Sequence, residues 1–137
     1  MSKTTRFTIM SLLTLLAVAL FSMNANASGG GGGGEGGVAY ERVEPLTVNL
    51  MGAQQYLQVT ITLKLAKPEA GEKVKLHMPV IRNNMIYLLS GKSAEEISNM
   101  EGKKRLLVES RDAVNKAIGL EAAEGVADVL FETFIIQ

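Results

Sequence analysis

The sequence has no cysteine and only one histidine, His77. Without cysteine there is no disulfide, no thiol nucleophile and no acylated cysteine of the kind that anchors a lipoprotein. A lone histidine has no second histidine for a metal site, and its place between Leu76 and Met78 on a predicted helix indicates a structural role. The composition therefore predicts a protein without catalytic residues, metal or cofactor, whose fold is stabilised by packing.

Acidic residues are absent before Glu35, and the only charges ahead of it are Lys3 and Arg6. An apolar run over residues 7–21 follows, and then the small residues Ala25 and Ala27 stand ahead of Ser28. This order predicts a signal peptide over residues 1–27 that is cleaved after Ala27 in export to the periplasm. The alternative is a retained inner-membrane anchor, but an apolar run of about 15 residues falls short of the roughly 20 that a spanning helix needs.

Removal of residues 1–27 would take two basic residues and no acid from a chain with 14 of each, which leaves a net charge of about −2. Nucleic-acid binding needs a concentrated basic surface, so the charge argues against it. The remaining length suits one modest domain.

Residues 28–37 are almost entirely glycine and are predicted to be a flexible linker. This linker is either a tether between a membrane end and a folded end or a disordered N-terminus without a further role. The folded domain is predicted to span residues 38–137.

Two strands are predicted at the start of this domain. Leu46, Val48 and Leu50 alternate with polar residues after Pro45, which we take as the strand's start. After a turn at residues 52–55, alternation over residues 56–65 predicts a second strand and so a hairpin. Residues 126–137 are β-branched and aromatic, and they predict a third strand that is central or well covered.

Three helices are predicted between the hairpin and the last strand. The first begins at Pro68 and ends at Ser90, with a kink at Pro79. Residues 93–96 form a capping box for a short helix that Asn99 stops. The third helix runs from about Glu101 to Ile118, and Gly119 ends it. The core stripes are predicted to contain Val74, Met78, Ile81, Met85 and Leu88 on the first helix, and Leu107, Arg111, Val114 and Ile118 on the third.

The predicted fold class is therefore α+β, a small antiparallel sheet packed with three helices. Two motifs in it are better explained as structure than as chemistry. Residues 91–93 match the end of a phosphate-binding loop, but Ile86 stands where that motif needs glycine. The basic cluster Lys103, Lys104 and Arg105 is typical of a solvated helix face, with binding to an acidic partner surface as the alternative.

Six segments, in order along the chain, resemble the flagellar basal-body-associated FliL family. They are EPLTVNL at 44–50, YLQVTITL at 56–63, HMPVIRN at 77–83, LLSGKSAEEI at 88–97, EGKKRL at 101–106 and VADVLFETFIIQ at 126–137. The resemblance covers nearly all of residues 40–137, including the terminal glutamine.

The resemblance implies a non-enzymatic accessory protein of the flagellar motor, with a periplasmic domain similar to the stomatin-type domain. Such proteins assemble as a ring around the ion-driven stator units, and they support motility, chemotaxis, torque under load and swarming. Contacts with the stator, basal-body proteins or other subunits would be sought first at Arg82, Asn83 and Asn84 and at Lys103, Lys104 and Arg105.

The N-terminus departs from the family pattern, because members typically carry a full transmembrane helix before this domain. If Ala27 is a cleavage site, the product is a soluble periplasmic relative. The alternative function is therefore a periplasmic binding module that has no part in motility.

Overall fold

The structure, a computed structural model, describes residues 37–52 and 54–137. The predicted signal segment, its cleavage residues Ala25, Ala27 and Ser28, and most of the glycine linker lie outside the described residues. Three strands and four helices follow one another in the order β1 (Tyr40–Asn49), β2 (Tyr56–Leu65), α1 (Ala70–Leu76), α2 (Met78–Ser90), α3 (Ala94–Ser98), α4 (Met100–Ile118) and β3 (Val126–Ile136).

The sheet is antiparallel, and β2 lies between β1 and β3. The predicted hairpin and α+β class are confirmed. The prediction that the last strand is central is wrong, because β3 pairs with β2 alone among the described strands. Apolar residues on both faces of β3 are typical of a covered strand, but Leu130 and Ile135 are about two-fifths exposed.

The alternating residues of β2 form the floor of the core. Leu57, Val59, Ile61, Leu63 and Leu65 are all buried, as their period of two predicts. The helices cover this face: α2 packs on β1, α4 packs on β3, and the two helices contact each other. The domain is thus a three-stranded sheet with one face covered by helices.

Both outer strands contain a β-bulge at the same level of β2. On β1 the pairing shifts between Val43 and Leu46, which places Pro45 inside the strand and not at its start. On β3 the pairing shifts so that Glu132 is the extra residue opposite the step from Thr60 to Ile61. Bulges increase the local bend and twist of a strand. They also accommodate proline, which has no N–H to donate to a regular ladder.

The predicted kink at Pro79 is a break between two helices. α1 ends at Leu76, and the carbonyl of His77 accepts the first helical bond of α2 from Ile81 at 2.9 Å. Proline lacks an N–H and clashes with a preceding helical carbonyl, so it is accommodated in the first turn of a new helix. Val74, Ile81 and Met85 are buried as predicted, while Met78 and Leu88 are half-buried.

Of the predicted α4 stripe, Val114 and Ile118 are buried, but the buried face of the first half of this helix lies one residue earlier than predicted. Its buried face contains Gly102, Leu106 and Ser110, whereas Leu107 and Arg111 are half-buried. The rotation is fixed at Gly102, because a Cβ there would lie 1.7 Å from the Glu96 carbonyl oxygen. Only glycine allows this approach of α4 to α3.

The predicted helix ends are confirmed except at Pro68, since the first helix begins at Ala70 and the carbonyl of Pro68 accepts a turn bond from Gly71 at 3.0 Å. The Ser93 hydroxyl accepts the N–H of Glu96, and the Glu96 carboxylate accepts the N–H of Ser93, which completes the capping box. The Ser93 N–H, which donates to the Glu96 carboxylate, is the main cause that lowers the pKa of Glu96, and the Ser93 side chain adds to this effect. Gly119 ends α4 in the left-handed conformation with φ of 66°.

Candidate functional site

Arg82 and Asn83, two of the three predicted contact residues on α2, line an open groove between β1 and that helix. The groove encloses about 830 Å³. Its floor is apolar and its rim carries ion pairs between β1 and the helices; the lining residues are Glu41, Arg42, Glu44, Lys75, Met78, Pro79, Arg82, Asn83 and Ile86. We call this surface the β1–α2 groove.

Arg82 connects α2 to the bulge of β1. Its Nη1 donates to the backbone carbonyl of Glu44 at 3.0 Å and lies 3.4 Å from that residue's carboxylate. Lys75 forms a similar pair with Glu41, at 3.4 Å. The Arg82 guanidinium therefore holds α2 against β1, and its role is to position the helix on the strand.

Asn83 and Asn84 differ in their availability to a partner. Asn83 is exposed on the groove, whereas Asn84 is half-buried. Sequence reasoning missed the apolar residues beside them: Leu76, Val80 and Tyr87 are 75%, 47% and 73% exposed. Val80 and Tyr87 are seven residues apart on α2, a spacing that places them on one face of the helix, and this face is separate from the predicted core stripe.

The second predicted contact cluster, on α4, lies near the opposite edge of the sheet, beside β3. The Lys103 ammonium is 5.3 Å from the ring centroid of Phe134 on β3, within the range of a cation–π contact. Lys104 and Arg105 are exposed. Because α2 lies on β1 and α4 lies on β3, the two predicted clusters form separate surfaces.

A small charged pocket lies where α3 meets α4. Lys92 Nζ is 2.6 Å from Glu109 Oε2, and Glu96 and Arg105 complete the charged lining. The pocket has room for about one water molecule, at about 20 Å³. The Lys92–Glu109 ion pair connects the segment before α3 to α4.

The open face of the sheet carries a charged contact that sequence reasoning did not find. Arg42 and Thr62 both donate hydrogen bonds to the carboxylate of Glu132, which joins β1, β2 and β3. Arg42 and Thr62 are register partners, and the bulge on β3 turns Glu132 toward them. The bonds from Arg42 and Thr62, in that order, lower the pKa of Glu132.

The described residues contain neither a metal-ligand cluster nor a membrane-spanning helix. Within residues 37–52 and 54–137, His, Cys, Asp and Glu form no group of three or more that could hold a metal ion. Over the same residues, none of the helices has the length and hydrophobicity to cross a membrane.

This geometry defines a small α+β domain in which one face of the sheet is covered by helices. Its two candidate contact surfaces lie near opposite edges of the sheet, one beside β1 and one beside β3. The model of the flagellar basal body-associated protein FliL family matches residues 40–137, so the chain belongs to that family. The resemblance seen in the sequence is thereby confirmed.

Two curated relatives have the same name, Flagellar protein FliL. The protein of Aquifex aeolicus (strain VF5) is 33% identical over 105 residues, which cover 75% of this chain and 63% of the relative. That of Escherichia coli (strain K12) is 28% identical over 96 residues, which cover 69% of this chain and 62% of the relative. The matched part is thus less than two thirds of either relative.

Proposed function

We propose that this protein is an accessory component of the flagellar motor that acts in the periplasm beside the stator units. The observation that carries the proposal is the family match over residues 40–137, which includes every strand and helix described above. The fold offers surfaces for protein contacts on two sides, as an accessory subunit requires. The protein would increase torque under load and support swarming.

Assembly around a stator would use exposed residues rather than those that hold the fold together. Asn83, Lys104 and Arg105 are exposed, while Arg82 and Lys103 already contact β1 and β3. We therefore assign the first three to contacts with stator, basal-body proteins or further subunits. Similarity to the stomatin-type domain and assembly as a ring stay predictions from the family resemblance.

The proposed location depends on residues 1–27. We propose export to the periplasm with cleavage after Ala27, and the alternative is retention in the inner membrane. N-terminal sequencing of the protein purified from its own cells distinguishes them. Cleavage gives Ser28 as the first residue, whereas Met1 or Ser2 in the membrane fraction would establish the anchored form.

Deletion of the gene tests the motor role. We expect slower swarming on firm agar and lower torque of tethered cells under load, both restored by the wild-type gene. A triple variant, Asn83→Ala, Lys104→Ala and Arg105→Ala, should accumulate normally and fail to restore swarming. The matched control changes exposed residues elsewhere: Thr47→Ala, Gln58→Ala and Lys116→Ala should restore it.

The alternative function predicts a different outcome. A periplasmic binding module without a part in motility would leave swimming, swarming and torque normal in the deletion strain. It would also recover no stator protein after cross-linking in cells. That combination would overturn the motor proposal.

A further inference from the structure

The two edges of the sheet are protected to different degrees. Along β1, Arg82 donates to the carbonyl of Glu44, and Pro45 has no N–H. Just beyond its end, the N–H of Met51 donates to the carbonyl of Lys92 at 2.8 Å. Proline and a cation that covers the edge backbone are devices that prevent an edge strand from pairing with another chain.

The edge of β3 has backbone groups that point outward. Tyr56 and Gln137 exchange two backbone hydrogen bonds, of 2.8 and 3.0 Å. Such pairs alternate along an antiparallel ladder, so the N–H and C=O groups of Phe134 and Ile136 point away from β2. Within residues 37–52 and 54–137, no strand lies beside this edge.

The side chains on this edge are suited to packing against another strand. Leu130 and Ile135 are 40% and 42% exposed on the open face. On the helix-covered face, the rings of Phe131 and Phe134 are half-buried, and their centroids are 5.3 Å apart. Glu132 is the only charge between Leu130 and Ile136, and Arg42 already neutralises it.

Positive charge lies next to the same edge. The Lys103 ammonium sits over the Phe134 ring, and Phe134 belongs to the outermost strand. A strand added beside Phe134 would therefore place its helix-facing side chains near Lys103. Lys104 and Arg105 instead line a different surface of α4, together with Glu101 and Glu109.

We propose that the free edge of β3, from Phe131 to Ile136, binds an extended peptide by strand addition. The peptide alternates apolar with polar residues and carries an acidic side chain opposite Phe134, where Lys103 meets it. Backbone hydrogen bonds to Phe134 and Ile136 provide affinity, and the alternating side chains provide specificity. A second copy of β3 fits less well, because self-pairing would bring two Lys103 ammonium groups together.

The binding mode is independent of the flagellar role, since it concerns the purified chain and a peptide. The probe is a short synthetic peptide that alternates threonine and valine around one central glutamate. Its twin has lysine in place of the glutamate. We expect the glutamate peptide to bind about tenfold more tightly than the lysine peptide, with a difference that narrows at high salt.

Amide hydrogen exchange locates the bound peptide. The peptide should slow exchange at Phe134 and Ile136 and leave Thr133 and Ile135 unchanged, because the latter two already pair with β2. This alternation distinguishes strand addition from contact with the open face of the sheet, which would not select every second amide.

Two matched pairs of variants test the contacts. Lys103→Glu should lower the affinity for the glutamate peptide about tenfold. Lys104→Glu makes the same charge change and should alter this affinity by about twofold or less. Ile136→Pro removes an outward N–H and should abolish binding, whereas Ile136→Val retains the N–H and should preserve it. Circular dichroism melting establishes that each variant is folded.

Three results would overturn the proposal. One is that neither peptide binds, and another is that Lys103→Glu and Lys104→Glu weaken binding equally. The third is that exchange at Phe134 and Ile136 slows with rising protein concentration in the absence of peptide. That last result would assign the edge to a second copy of the chain.

Discussion

The side chain of Asn115 hydrogen-bonds both backbone groups of Val126. Its Nδ2 donates to the Val126 carbonyl at 2.9 Å, and its Oδ1 accepts the Val126 N–H at 2.8 Å. Asn115 is 6% exposed, so these bonds are shielded from water. They join the last turns of α4 to the first residue of β3 and thereby set where the edge strand begins.

Asn115→Ala should lower the free energy of unfolding by about 2–4 kcal/mol. The substitution leaves two buried backbone groups of Val126 without partners, and each costs roughly 1–3 kcal/mol. Urea unfolding followed by circular dichroism measures the change. The exposed neighbour serves as control, since Lys116→Ala should stay within about 0.5 kcal/mol of wild type. If Asn115→Ala lowered the free energy of unfolding by only about 0.5 kcal/mol, the structural role of the Asn115 bonds to Val126 would be contradicted.

Gly102→Ala should be strongly destabilising, by about 3 kcal/mol or more, because the added Cβ would overlap the Glu96 carbonyl and force α3 and α4 apart. Gly91→Ala is the matched control. Its nearest atom outside the adjacent residues lies 3.5 Å from the added Cβ, and its φ of −81° suits alanine. Thermal melting compares them, and equal melting temperatures for the two variants would disprove the close approach.

Glu132→Gln should lower stability at neutral pH, and this difference should vanish in acid. Hydrogen bonds from Arg42 and Thr62 lower the pKa of Glu132 in the folded state below its ordinary value of about 4.3. The stabilisation is therefore fully present above that ordinary value and is lost as pH falls through the folded pKa. Urea midpoints of both proteins between neutral pH and about pH 3 provide the measurement.

A double-mutant cycle is the control for this pH effect. In an Arg42→Gln background, Glu132→Gln should have a smaller effect at neutral pH, because the main cause of the lowered pKa is gone. An unchanged effect would show that Arg42 does not stabilise the carboxylate.

Arg82→Ala and Asn83→Ala should separate positioning from partner contact. Arg82→Ala removes the bond to the Glu44 carbonyl and a solvent-screened ion pair, so we expect a loss of about 0.5–1.5 kcal/mol. Asn83→Ala should change the free energy of unfolding by no more than about 0.5 kcal/mol. Urea unfolding of both variants is the measurement, and a larger loss for Asn83→Ala would show that it also supports the fold.

Local features were predictable from the sequence because their causes are local. The alternation in β2, the capping box at Ser93 and the αL stop at Gly119 each depend on residues within a few positions. Pro79 correctly marked a disruption of the helix. Whether it produced a kink or a break depended on the fit of α1 and α2 against the sheet.

The candidate site was predictable only in part. The sequence directed attention to Arg82, Asn83 and Lys103, but it did not indicate that Arg82 and Lys103 would be occupied by β1 and β3. It also did not pair Arg42 with Glu132, which are 90 positions apart and meet only through two shifts of register.

The sequence by itself determined the α+β class, the positions of most strands and helix ends, and the family. Only the tertiary structure decided that β2 is central, that α4 turns Gly102 toward α3, and that β3 has a free edge. These features arise from pairing and close contact between distant segments. The period of a strand shows which side chains share a face, but it does not show which neighbour its backbone will meet.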